Sequence, residues 1–313
     1  MRQPIYLDYL ASKNVKIIYS IKDVYEGTRW YHEPVLGWRG EDAIVRNVVS
    51  AFRDHPAVLA WYLNDELPLT MRDRLEARQR LVSQLDPHHP TWAVLYQVDD
   101  LYGYQNTADV LGTDPYPIPD KPVTLAAEWT QKSVAASGGH KPLWMVPQAF
   151  DWASYRKDGA KGRPPTLDEE LVMTYLCLIY GAHGLIYYNY ADLLRDPRLG
   201  FDKRWADMLV VGKEVKQLEP ALLSTAGPPK LEVQAPSGVH FAIRADNTRR
   251  TFVLMANPES QEALVRIASP QQAVLHLLHR GELSGWEQRD PDSTTTVRLP
   301  PMRSMTLLIA PRR

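Results

Sequence analysis

Short apolar runs alternate with longer amphipathic stretches through the first two thirds of the chain. Six of these runs are rich in β-branched and aromatic residues, and each is followed by a loop and a helical pattern. They cover Val15–Lys22, Val58–Glu66, Trp92–Gln97, Val110–Ile118, Leu143–Phe150 and Gly184–Tyr190. Strands that alternate with helices indicate βαβ units and a parallel sheet.

The helical stretches carry their own start signals. Thr70 with Asp73 and Thr166 with Glu169 both resemble capping boxes, in which a hydroxyl and a carboxylate satisfy the first free backbone N–H groups. A further helix is predicted for Asp202–Leu218. These helices fill the positions between strands that a parallel sheet requires.

The pattern changes after two consecutive prolines at 228 and 229. From Lys230 onward, short runs that alternate apolar and polar residues are separated by turn residues such as Asp246 and Asn247. This spacing is typical of an antiparallel β-sandwich. We therefore predict two domains, a (β/α) barrel over residues 1–227 and a β-sandwich over residues 228–313.

The net charge and the cysteine content limit the kinds of partner and the cellular location that can be expected. The formal net charge of the 313 residues is −1, so the chain lacks the basic surface that nucleic acid or an anionic membrane would attract. The sequence also shows no apolar run long enough to span a bilayer. Its one cysteine, Cys177, lies in an apolar helical pattern and is interpreted as a buried hydrophobe. A cytoplasmic location is the simplest expectation, with export left open.

The aromatic residues have an unusual balance, with 9 Trp and 16 Tyr against 5 Phe. Rings that carry a polar group can stack on sugar rings and bond their hydroxyls. Ordinary use in the core and at interfaces explains the same balance equally well.

Parallel barrels carry their chemistry where strands end and βα loops begin. The second predicted strand ends at Asp65 and Glu66, and period-two alternation places Tyr62, Asn64 and Glu66 on the inward face. A carboxylic acid among aromatic rings can have its pKa raised enough to act as a general acid. The alternative is that Asp65 and Glu66 only cap the segment that follows.

Other strand ends supply further candidates. Asp114 ends the fourth strand and is the second carboxylate expected in the cleft, although it could equally hold loop backbone. Four more side chains are predicted to contact substrate at the ends of the fourth, fifth and sixth strands, together with the neutral amide of Gln148: Tyr116, Trp152, Tyr188 and Tyr190. We predict no metal, because the histidines lack ligand spacing. We also predict no cofactor, since phosphate-loop and dinucleotide motifs are absent.

Several of these runs resemble one family. The segments HPAVLAWYLNDELP, VLGTDPYPIP, PLWMVPQAF and GAHGLIYYNY resemble the strands of clan-A-like glycoside hydrolases, over roughly residues 5–220. In such barrels the fourth strand carries an acid/base Glu, and the seventh carries a nucleophilic Glu. The resemblance implies that Glu66 is the acid/base residue and that Asn64 contacts a sugar hydroxyl.

The chain departs from the family in two ways. Gln148 stands at the seventh-strand position, where the nucleophile is expected. If Val58–Glu66 is the fourth strand, the first two β/α units are missing, and the fold is an incomplete (truncated) TIM-type barrel. Exposed sheet edges are costly, so we expect a homo-oligomer, or the segment Gly27–Gly40, to cover the open edge.

The sequence therefore predicts a glycosidase with a carbohydrate substrate. Glu66 is the expected general acid/base, and Asp114 or Asp65 is the expected nucleophile or base for water. The alternative is a non-catalytic carbohydrate-binding or assembly protein derived from a glycosidase, which Gln148 and the missing strands favour.

Overall fold

The computed structural model describes residues 3–32, 37–155, 162–196, 198–269, 273–286 and 294–311. The chain divides into two compact units. The first comprises Met1–Asp114 and Lys132–Met145, and the second comprises Pro115–Gln131 and Val146–Arg313. Among the described residues, no helix combines the length and the hydropathy needed to cross a membrane.

The first unit contains a parallel sheet with strands in the order β1-β2-β3-β4. An isolated parallel bridge from Leu111 to Leu143 places the short β5 next to β4. The sheet and its helices have these bounds: α1 Gln3–Ser12, β1 Ile17–Ser20, α2 Glu41–Phe52, β2 Val58–Asp65, α3 Arg72–Leu85, β3 Thr91–Leu95, β4 Val110–Thr113, α4 Leu125–Ala136 (its last five residues only) and β5 Trp144–Met145.

The core of this unit lies between β1 and β2 on one side and the first three helices on the other. Trp61 and Leu63 of β2 are both fully buried there, against Val45 of α2 and Val82 of α3. Trp61 also donates from Nε1 to Asp86 Oδ2 at 2.8 Å, which satisfies its one polar atom. The apolar half of β2 thus fixes the strand against its helices.

The second unit contains two antiparallel sheets, in the orders β12-β11-β14-β9-β8 and β13-β10-β7. Side chains of both sheets share one apolar cluster, which makes a β-sandwich. The elements of this unit are α5 Leu167–Ile179, β6 Gly184–Leu185, α6 Tyr190–Leu194, α7 Phe201–Leu222, β7 Val233–Gln234, β8 His240–Ala245, β9 Thr251–Asn257, β10 Ala263–Ala268, β11 Val274–His279, β12 Glu282–Trp286, β13 Thr294–Leu299 and β14 Arg303–Ala310.

Helix α5 connects this sandwich to the rest of its unit. All its residues from Glu169 to Leu178 are buried. Tyr175 donates to Glu214 Oε1 of α7 at 2.5 Å and lies 2.9 Å from Thr306 Oγ1 of β14. Cys177 is buried on the same helix, and burial raises the pKa of its thiol to about 12, which agrees with the interpretation of an inert hydrophobe.

All six predicted strands of the parallel part exist, although most are shorter than expected. The capping box at Thr166 and Glu169 is confirmed, with both reciprocal bonds formed. The one at Thr70 is wrong, because α3 begins after Met71 and has no side-chain cap. The last predicted barrel helix extends past Pro220 to Leu222.

Three predictions about organisation stay predictions: the boundary at residues 227/228, the missing first two β/α units, and the oligomer. Four residues of the proposed covering segment, 33–36, lie outside the described residues.

Candidate functional site

The end of β2 is shaped by a break in its pairing with β3. The register shifts between Tyr62 and Asn64, so the strand carries one extra residue there. Asn64 is fully buried and its Oδ1 accepts from the N–H of Leu67 at 3.0 Å, which bends the chain sharply. Glu66 lies inside this bend with a φ of 58°, a left-handed conformation that is uncommon for a residue with a side chain.

The backbone of Glu66 is held from two directions. Its N–H donates to the carbonyl of Val94 at 2.9 Å, and its carbonyl accepts from Gln97 Nε2 at 3.0 Å. Residues kept in a strained conformation by their neighbours concentrate at functional sites. The end of β2 therefore has a backbone feature that functional sites often share.

Glu66 and Asp114 are brought together by the parallel sheet. Asp114 directly follows β4, is 5% exposed, and forms a side-chain hydrogen bond with Glu66. Burial, the charge of Glu66 and this hydrogen bond together raise the pKa of Asp114 to about 9. Glu66 as a residue is exposed, but partial burial of its carboxyl still raises its pKa. Because the two acids contact each other, they hold one shared proton at neutral pH, mainly on the more buried Asp114.

Asp65 belongs to the same cluster, contrary to strict alternation along the strand. Its Oδ2 lies 2.7 Å from Nζ of Lys22, which in turn lies 5.8 Å from the centroid of the Tyr62 ring. Its charge acts on both Glu66 and Asp114. Strict alternation would place Asp65 and Glu66 on opposite faces, but the left-handed backbone of Glu66 ends the extended geometry on which alternation depends.

Two buried donors of the parallel sheet lack an acceptor among the described residues. Nδ2 of Asn64 and Nε1 of Trp92 have no hydrogen-bond partner among the described residues. Trp92 packs on Tyr62 with 4.4 Å between ring centroids. Buried donors are costly unless something accepts from them. This pair suits the hydroxyl oxygens of a polar ligand.

The second unit contains a cluster of five aromatic side chains. Its ring centroids lie 4.9 to 6.2 Å apart, and its members are Tyr116, Phe150, Trp152, Tyr155 and Tyr188. Phe150 is buried at its centre, whereas Tyr155 and Tyr188 are exposed. Three of the predicted contact residues, Tyr116, Trp152 and Tyr188, thus form one surface.

The other two predicted contact residues of this unit, Gln148 and Tyr190, lie outside the aromatic cluster and make different contacts. Gln148 is fully buried and its amide holds loop backbone, with bonds of 2.8 Å to both N–H and carbonyl of Ile118 and 3.0 Å to the carbonyl of Phe150. Tyr190 packs against Phe201 and Trp205 of α7, apart from the aromatic cluster. Tyr188 and Tyr190 are separated by the start of α6, at the Asn189 cap.

Sequence reasoning missed Lys22, Trp92 and Tyr155. Lys22 ends the first predicted strand, so its position at a strand end was an available signal. Trp92 begins a predicted strand, where the sequence gives no sign of which side its ring faces. Tyr155 follows a strand end by several residues, and its contact with Asp192, 2.5 Å from the Tyr155 hydroxyl, depends on the folded loops.

The structure of this chain is similar to several solved structures of glycoside hydrolases. The structure is similar to a family 27 β-L-arabinopyranosidase from Geobacillus stearothermophilus, with 14% identity, a TM-score of 0.55, and coverage of 98% of this chain and 76% of that one. It is also similar to a family 5 glycoside hydrolase from Bacteroides vulgatus, with 13% identity, a TM-score of 0.56, and coverage of 86% and 66%. A family 30 subfamily 8 xylanase from Clostridium acetobutylicum is also similar, with 13% identity, a TM-score of 0.51, and coverage of 86% of this chain and 70% of that one.

No protein-family model and no curated protein matches the sequence. The structural matches confirm the predicted likeness to clan-A glycoside hydrolases. They also confirm the fold class, a (β/α)-barrel type with a C-terminal β-sandwich. At these identities the likeness establishes the fold alone.

Proposed function

We propose that this chain hydrolyses O-glycosidic bonds, with Glu66 as the general acid/base. The observation that carries the proposal is the hydrogen-bonded pair of Glu66 and Asp114 at the carboxyl ends of parallel strands. A barrel of this type has its reactive groups at that end of the sheet. The fold shared with glycoside hydrolases supports the same reaction class.

The different burial of Asp114 and Glu66 suggests a different role for each residue. Asp114 is almost completely buried and holds the shared proton in the resting state, whereas Glu66 is exposed and can contact a substrate. The proton first moves from Asp114 to Glu66 through their hydrogen bond. As the glycosidic C–O bond breaks, Glu66 gives this proton to the leaving oxygen, which departs as an alcohol. The water that completes hydrolysis returns a proton to Glu66, so the pair ends as it began.

Direct contact between the two carboxyl groups argues against Asp114 as the nucleophile. Retaining glycosidases separate their carboxyl groups by about 5 Å, and inverting ones by roughly 6.5–9.5 Å. Groups that share a hydrogen bond are closer than either arrangement. Asp65, which pairs with Lys22, is the remaining predicted carboxylate for the role of nucleophile or of base for water.

Substrate binding is proposed for two sets of residues. In the first unit, Asn64 donates to a sugar hydroxyl near Glu66, Nε1 of Trp92 is a second donor without a partner among the described residues, and Tyr62 supplies a ring. In the second unit, the aromatic cluster offers partly exposed faces on which a sugar ring can stack.

The test is a comparison of wild type and Glu66→Gln on aryl α- and β-glycosides with a range of leaving groups. We expect turnover to fall by a factor of about 100 to 10,000. The loss should shrink on substrates with better leaving groups, because these need less protonation. Glu76→Gln is the matched control, since Glu76 lies on α3 and pairs with Arg80.

Two outcomes would contradict the proposal. Equal turnover by wild type and Glu66→Gln would remove Glu66 from the mechanism. Sugar binding detected by calorimetry, with no turnover of any glycoside, would favour the non-catalytic carbohydrate-binding protein.

A further inference from the structure

Lys22 leaves β1 directly opposite the end of β2. The N–H of Ile21 donates to the carbonyl of Tyr62 at 2.9 Å, which keeps the two strands paired up to this point. The Lys22 side chain is 23% exposed, and its Nζ lies 2.7 Å from Asp65 Oδ2 and 3.0 Å from Asp23 Oδ1. Two carboxylates and the Tyr62 ring thus fix one ammonium group.

This ammonium group is surrounded by acids. The charged or titratable groups that act on Glu66 are Asp65 from its own strand, Asp114 from the end of β4, and Lys22 from the end of β1. Asp23 contacts Lys22 from the other side. Burial of the ammonium group by itself would lower the pKa of Lys22, but the hydrogen bonds and charges of Asp65 and Asp23 outweigh that effect and raise it. Lys22 therefore keeps its charge across the working range of an enzyme.

From this arrangement we propose that Lys22 is a positioning residue of the carboxylate site, which holds Asp65 in place and offsets its charge beside Glu66 and Asp114. This inference rests on the proposed function. Without the Lys22 charge, an unpaired Asp65 carboxylate would stand next to the shared proton. The proton would then be held more tightly and would transfer less readily to a leaving group.

The test compares Lys22→Met, Lys22→Arg and Asp65→Asn with wild type. The apparent pKa values of the Glu66–Asp114 pair are measured by carbon-detected NMR of the side-chain carboxyl groups. We expect Lys22→Met to move them up by about 1 unit, since a charge within a few ångströms shifts a pKa by this order. Asp65→Asn should move them down, because it removes a like charge, and Lys22→Arg should leave them near wild type.

The pH dependence of catalysis should change in the same direction as the titrations of the two Lys22 variants. On any glycoside that wild type turns over, the pH profile of kcat/KM should shift upward in Lys22→Met and be restored in Lys22→Arg. A residue with only a structural role would change stability without producing opposite shifts. Thermal unfolding of each variant checks this, and Asp65→Asn still decides the question if Lys22→Met does not fold.

The two proposals can fail separately. If Lys22→Met leaves the titration of the pair unchanged, or if Asp65→Asn shifts it in the same direction, the role of Lys22 is overturned. If wild type turns over no glycoside while the titrations move as expected, the proposed function fails, and Lys22 still sets the charge of this site.

Discussion

Replacement of Asp114 by Asn should make the protein more stable at neutral pH. The folded state holds the Asp114 proton up to a pKa of about 9, whereas the ordinary value is 3.8. Because the folded state binds more protons than the unfolded state between these values, the free energy of unfolding falls as pH rises through that window. Asn resembles the protonated acid and can donate the same hydrogen bond to Glu66, so it avoids this loss.

The size of the effect follows from the pKa difference. At 1.36 kcal/mol per unit, a rise from 3.8 to about 9 gives a ceiling of about 7 kcal/mol. Sharing of the proton with Glu66 and local relaxation reduce it, so we expect a gain of about 1–3 kcal/mol at pH 8. Near pH 3.5 both states are protonated, and the gain should be close to zero.

Urea unfolding followed by tryptophan fluorescence, at pH values from 3.5 to 9, measures this difference. The control is Asp99→Asn, because the Asp99 side chain is 84% exposed and its pairing with Lys132 should contribute little. The reasoning is refuted if Asp114→Asn destabilises the protein more at pH 8 than at pH 4, since Asp114 would then be ionised in the folded state. The same variant should lose glycosidase activity, because it cannot supply the proton.

Two further substitutions test how the site is built. Gly112→Ala should destabilise the first unit by about 3 kcal/mol or more, because a Cβ there would lie 2.1 Å from the carbonyl oxygen of Trp144. Gly212→Ala is its control, in open space within α7, and should instead stabilise by about 0.5–1 kcal/mol in chemical unfolding. Gln148→Leu should cost about 2–4 kcal/mol, since backbone groups of Ile118 and Phe150 lose their partners. A melting temperature like that of exposed Gln131→Leu would contradict a clamping role for Gln148.

Much of the fold could be predicted because its signals are local. Alternation between strand and helix patterns locates all six parallel strands, and the capping box at Thr166 marks the start of α5. The box at Thr70 fails because the chain there first forms a short 3-10 turn, Leu69–Met71, and the helix begins only afterwards. A capping motif reports a local preference, and the packing of the preceding loop can override it.

The candidate site could be predicted only in part. The closeness of Glu66 and Asp114 follows from the rule that the carboxyl ends of parallel strands lie at the same edge of the sheet. The closeness of Asp65 to Glu66 involves the left-handed backbone of Glu66, which no sequence pattern announces. Lys22 could have been suspected from its position at a predicted strand end, whereas the contact of Trp92 with Tyr62 of the neighbouring strand could not be found from single-strand periodicity. Gln148 was expected in the site, but its amide is used by loop backbone.

Three unfavourable features meet at one end of the first unit's sheet, and their concentration is an argument for function. Glu66 has a left-handed backbone, and among the described residues neither Oδ1 of the buried Asp114 nor the buried amide donor of Asn64 has a hydrogen-bond partner. Each of these features lowers the free energy of unfolding compared with an apolar residue or a relaxed backbone at the same position. The Tyr25 hydroxyl and Nη1 of Arg78, in the same unit, also have no partner among the described residues, so only the meeting of three such costs at one end of the sheet points to function. Such costs side by side, where barrels carry their chemistry, support our proposal that this end of the sheet binds a ligand.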